Sequence, residues 1–166
     1  MAIVKNFNMK KFLAILVLGL LLSGCIPKVS PTGGSFSGLK IEPDKSRIII
    51  LRKGGSLISM DTPALRINGT TSSNYYLPSK AFIQENVIAD MYEITVSKPS
   101  SSSGLVWRFD PINIKVVAKK NETVYLELKA TSIGYVHNTN IKIVDKAYAL
   151  DKLKTFQRVL RTDYPK

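Results

Sequence analysis

The chain is 166 residues long, 45% hydrophobic, and carries 24 lysines and arginines against 12 acids, a formal net charge of +12. One cysteine excludes an intramolecular disulfide, and one histidine among scattered acids supplies no ligand cluster for a metal, so no cofactor is expected. The length suits one hydrophobic core and is cramped for two domains.

In chain order, the first 24 residues divide into a basic stretch with Lys5, Lys10 and Lys11, an apolar run from Phe12 to Leu22, and the small pair Ser23-Gly24. This is the anatomy of an export signal, assigned to residues 1–24. The run has eleven residues, whereas a membrane-spanning helix needs about 20. Met9-Lys10-Lys11 makes a complete basic start of its own, so residues 1–8 read equally well as an extension.

Leu22-Ser23-Gly24-Cys25 resembles the lipobox of bacterial lipoproteins, in which a leucine three residues before the cysteine precedes two small residues. Small side chains let an extended backbone enter a membrane-embedded peptidase, and the thiol lies where a diacylglyceryl group is attached. The resemblance implies cleavage before Cys25, lipidation of its sulfur and, in many bacteria, acylation of the freed amine. Each buried CH₂ contributes about 0.8 kcal/mol, so two or three chains anchor durably where one binds marginally. By the sorting rule of enteric bacteria, Ile26 in place of Asp implies the outer membrane, facing the periplasm. Cys25 is thus expected to be an anchor and not a catalyst.

Residues 25–44 contain Pro27, Pro31, Gly33-Gly34 and Gly38, a composition that predicts a flexible tether. After removal of three lysines with the signal, 21 basic and 12 acidic residues remain, a net charge of +9. Such a surplus attracts anionic headgroups, phosphorylated glycolipids or acidic polymers, or simply solvates the surface. A nucleic-acid partner would need clustered basic residues with interleaved aromatics, and the export signal argues against meeting one, so none is expected.

A β-rich domain is assigned to residues 45–166. Ile48-Ile49-Ile50-Leu51 between Arg47 and Arg52 is continuously apolar and suits a central strand covered on both faces. Gly54-Gly55 reads as a hairpin turn. Leu65-Arg66-Ile67 alternates and stops at Asn68-Gly69. Tyr75 to Ile83, interrupted by Pro78, fits an edge strand or two short pieces. Tyr92 to Val96 alternates, and Lys98 to Gly104 is a loop. Ile112, Ile114 and Val116 share one face, as do Val124, Leu126 and Leu128, with Lys119 to Glu122 expected as the hairpin turn between them. Ile141 to Val144 alternates last. Lys146 to Leu160 then predicts an amphipathic helix with Ala149, Leu153, Phe156 and Leu160 on one stripe, closing the sheet or lying on a membrane. Short strands with frequent turn signals predict a mainly β fold, a small antiparallel β-sandwich with one C-terminal helix.

His137, in the expected turn 134–138, has no ligand cluster around it. Ser56 lacks a Gly-x-Ser-x-Gly elbow, and Gly54-Gly55 lacks the lysine of a phosphate loop. Asp90 with Glu93, or Glu122 with Glu127, would make a glycosidase pair only if folding joined them. Trp107, Phe109, Tyr75 and Tyr76 are read as core or sheet-face packing residues, with an aromatic platform for sugars as the alternative. The order of strands from Ser46 to Arg52, Pro63 to Ile67 and Tyr92 to Val96, followed by Ile112 to Glu127, resembles an uncharacterised family of lipoprotein-borne domains related to the PEGA type of small β-sandwich. That resemblance covers about residues 45–150 and implies no catalytic residues. The expectation is a non-enzymatic envelope module that contacts another envelope component or an anionic polymer, with a hydrolase of cell-wall or glycolipid material as the alternative. Lys146, Lys152, Lys154, Arg158 and Arg161 are the expected membrane-facing cations.

Overall fold

The computed structural model describes residues 33–36, 38, 40–54, 63–69, 73–97, 110–133 and 136–160. Strand β1 (Lys45–Arg52) lies at the centre of a five-stranded sheet of order β8-β7-β1-β4-β9, where β4 is Ala81–Ile88, β7 Thr123–Ile133, β8 Val136–Ile143 and β9 Gln157–Arg158. The facing sheet has the order β3-β2-β5-β6, from Ser73–Tyr76, Ala64–Asn68, Asp90–Ser97 and Ile112–Ala118. The expected sandwich is therefore present. Its four-stranded sheet is wholly antiparallel, and the larger sheet adds two parallel pairings, β1 with β7 and β4 with β9.

The four consecutive apolar residues of β1 serve two cores. Ile48 and Ile50 point between the sheets and meet Leu65, Ile67, Tyr92, Ile94 and Leu126. Ile49 and Leu51 point the other way, to Phe82, Ala149, Leu153 and Phe156. All four are 0–1% exposed. A side-chain period of two sends neighbouring residues to opposite faces, so a run without polar residues belongs where both faces are covered.

The cover on the second face has two parts. One is helix α1 (Lys146–Leu153), capped by Asp145, whose carboxylate accepts from the Tyr148 N–H at 2.8 Å. It is eight residues long, shorter than the expected 146–160. The N–H groups of Thr155 and Phe156 still donate to the Lys152 carbonyl, but beyond them the chain finds carbonyls on other elements: Gln157 donates to Lys80, Arg158 to Gly34 and Val159 to Phe82. These bonds along the free edge of β4 draw the chain into β9 and replace the next helical turn. Phe156 still packs under α1, but Leu160 is 47% exposed.

The other part is a strap made by residues 33–36, 38 and 40–42, which the composition had assigned to the tether. The Gly33 N–H donates to the Arg158 carbonyl at 3.0 Å, and Phe36 meets Phe82 edge to face. Buried Arg47 then donates to the carbonyls of Gly38, at 3.1 Å, and Lys40, and to Asn86 Oδ1 at 3.0 Å. Gly38, at φ +108°, adopts a backbone conformation that side chains disfavour. A glycine-rich composition permits disorder, yet here a backbone hydrogen bond, one aromatic contact and one buried cation hold the segment down.

Two turns also differ from expectation. Lys119 to Glu122 carries the chain from one sheet to the other, since β6 pairs with β5 while β7 pairs with β1 and β8. Asn121, at φ +63°, makes the corner. His137 belongs to β8, opposite Ser132, rather than to the turn. Gly54 follows β1, and the next strand among the described residues, β2, lies in the other sheet; Gly55 and the rest of the expected hairpin turn lie outside the described residues. Cys25, Gly55, Ser56, Trp107, Phe109 and Arg161 lie outside the described residues.

Candidate functional site

The sandwich has two distinct ends. One holds Arg52, Ala81 and Ser97; the other holds Lys45, Ile88, Asp90 and Ala118. At the Lys45 end, edge strands β6 and β8 leave a groove of about 660 Å³ between the sheets. Ile41 of the strap, Val116, Val124 and Ile143 make its apolar lining, while Lys119, Asn121, Thr123 and Lys146 supply polar groups. Among the described residues, Glu122 is the single carboxylate that lines it. A volume of this size falls within the range of small-ligand clefts, about 300–1,000 Å³.

Tyr125 borders the groove at 5% exposure, and its hydroxyl makes no hydrogen bond of ordinary geometry among the described residues. Burial raises its pKa, against the opposing influence of the Thr123 hydroxyl and the Arg47 guanidinium. Burial, with Arg158 nearby, lowers the Arg47 pKa against the opposing influence of Tyr125 and Glu42, while its guanidinium donates to the strap carbonyls and Asn86. The groove opens onto exposed apolar side chains: Ile143 is 59% exposed, Val117 62%, and its β5 partner Met91 58%. Exposed large apolar residues that gather at one end mark a contact surface more often than isolated ones do.

The acidic pairs considered from sequence are kept apart. Glu122 lies at the groove, whereas Glu127 is 5% exposed on the α1 side, where it accepts from the Tyr148 hydroxyl. Asp90 is exposed at the start of β5, and Glu93 sits opposite Lys115. Among the described residues no three of His, Cys, Asp and Glu come together as a metal site. Tyr75 and Tyr76 are 2% and 8% exposed and are packing residues, not a sugar platform. The expected cation group is also divided. Lys146 borders the groove, while Lys152, Lys154 and Arg158 lie toward the Arg52 end, because α1 runs alongside β1 from one end to the other.

Sequence reasoning missed the groove. Val116, Val124 and Ile143 alternate like any core-facing residues, and alternation does not reveal where two sheets diverge. The buried Arg47 left no signal either, since arginines flanking an apolar strand are ordinarily solvated. No helix among the described residues is long and apolar enough to cross a membrane. Comparison with family models, curated proteins and solved structures returned no match.

Proposed function

We propose that this chain is a bacterial envelope lipoprotein, anchored to the outer membrane through Cys25, whose β-sandwich is a non-enzymatic binding or structural module of the periplasm. The observation that carries the reading is Leu22-Ser23-Gly24-Cys25 directly after an eleven-residue apolar run and three lysines. The domain's resemblance to lipoprotein-borne sandwiches of the PEGA type agrees with it. The groove at the Lys45 end favours holding over cleaving, because glycoside hydrolysis needs two carboxylates about 5–9.5 Å apart and, among the described residues, only Glu122 lines this one. Its apolar lining with lysines, an amide and a hydroxyl suits a ligand or protein segment that is part apolar and part polar.

The test is metabolic labelling with a fatty-acid analogue. The wild type is expected to take up label and to run as the cleaved form. Cys25→Ser should stay an unlabelled, uncleaved precursor, since the peptidase recognises the modified sulfur. Equal labelling of the two would overturn the lipoprotein reading.

A further inference from the structure

We infer that the Arg52 end of the sandwich, through Lys53, Lys80 and Lys154, rests on the anionic phospholipid surface to which Cys25 anchors the chain, so that the groove at the Lys45 end faces away from the membrane. This deepens the lipoprotein reading and rests on it. Three observations carry it.

The first is where the strap begins. Gly33 is bonded to Arg158, which pairs with Phe82 at the Arg52 end, and the strap runs from there toward Glu42 and Asn86 at the other end. Gly33, the first described residue of the strap, therefore lies at the Arg52 end. The second is length. Cys25 and Gly33 are eight residue steps apart, a maximal reach of about 26–29 Å. Strand β1 alone spans about 23 Å from end to end, so an inverted domain would require the connection almost fully stretched.

The third is charge. Among the described residues the Arg52 end presents Lys53, Lys80, Lys152, Lys154 and Arg158 against Asp151 and Asp110. The Lys45 end presents Lys45, Lys119, Lys120 and Lys146 against Glu42, Asp44, Asp90, Glu122 and Asp145. Asp151 sits 3.0 Å from the Lys152 ammonium and 3.8 Å from that of Lys154, which moderates the surplus without cancelling it. Lys53 and Lys80 enter no ion pair among the described residues and are exposed. The opposite end is near balance, with Lys120 bound to Asp44 at 2.6 Å. Attraction to an anionic surface fades within about 8 Å at physiological salt, so only the nearer end contributes.

The experiment places a single new cysteine in the full lipidated protein at Gln157→Cys or Ala89→Cys, exposed neutral positions at the Arg52 and Lys45 ends respectively. Each is labelled with a fluorophore in vesicles of phosphatidylcholine, with or without phosphatidylglycerol, carrying a headgroup quencher. The dye at position 157 should be quenched severalfold more than that at 89 when anionic lipid is present. Each lysine near such a surface favours contact about fivefold, so Lys53→Gln, Lys80→Gln and Lys154→Gln together should erase the difference. Equal quenching, stronger quenching at 89, or a difference indifferent to anionic lipid would overturn the inference; stronger quenching at 89 would point to apolar contact through Ile88, Met91 and Val117. Wild-type protein supplies the separate check, since a lipidated Cys25 takes no thiol dye. Labelling of Cys25 would mean that the lipoprotein reading itself has failed.

Discussion

Gly69, just past β2, shows how close an approach a single residue must allow. A Cβ there would overlap two carbons of the Tyr92 ring, and Tyr92 is wholly buried with its hydroxyl bonded to the Ile88 carbonyl at 3.0 Å. The ring has no room to retreat. Gly69→Ala is expected to destabilise the fold by about 1–3 kcal/mol in urea denaturation, the range for overpacking. Tyr148 gives a pH-dependent counterpart. Its hydroxyl donates to Glu127, and that bond first, then burial and neighbouring acids, pushes its pKa from 10.0 to about 12. A group whose folded pKa is raised contributes stability that is complete below its unfolded value and is lost as pH climbs through the folded one. The Tyr148 contribution should thus be present below about pH 10 and disappear between about pH 10 and 12. Thermal melts across that window should fall more steeply for the wild type than for Tyr148→Phe; parallel curves would refute the assignment.

At the scale of elements, the segment after Asp145 shows periodicity competing with hydrogen bonding. Ala149, Leu153, Phe156 and Leu160 are spaced as one helical stripe, yet the helix ends at Leu153 because the edge of β4 offers partners to the chain from Gln157 onward. The stripe consequently divides. Leu153 is 1% exposed beneath α1, whereas Leu160 is 47% exposed. Leu153→Ala should cost about 2–5 kcal/mol, as for other fully buried leucines, and Leu160→Ala less than about 1 kcal/mol. Comparable losses at both positions would restore the longer helix. The turn at Lys119 to Glu122 makes a similar point, for the alternations on either side are those of a hairpin and equally those of a corner between sheets. Only the pairings of β6 with β5 and of β7 with β1 distinguish the two.

For the whole molecule, the unit that folds includes the strap. A fragment starting at Lys45 would contain every strand and α1, yet Arg47 would lose two backbone acceptors and Phe82 its contact with Phe36. Uncovering an aromatic side chain alone costs about 1.5–3 kcal/mol. Residues 45–166 should therefore melt at least about 3 °C below residues 33–166, given a shift of about 2–4 °C per kcal/mol for a domain of this order. Equal melting temperatures would show the strap to be an incidental cover.

What the sequence alone determined follows from local rules. The lipobox pattern lies within four consecutive residues and needs no fold to be read, although its chemistry awaits the labelling test. The double-faced burial of Ile48 to Leu51, the end of β2 at Asn68-Gly69 and the clean alternation of β5 follow from a side-chain period of two. Tertiary structure decided everything that depends on which element lies beside which. It turned half of a glycine-rich tether into a strap, because Arg47 and Phe82 are brought within its reach. It shortened the helix, because β4 has a free edge. It separated Glu122 from Glu127 and Lys146 from Lys154, and it opened the groove where β6 and β8 diverge. Hydrophobic periodicity specifies which way a side chain points, whereas partners distant in sequence determine what it meets there.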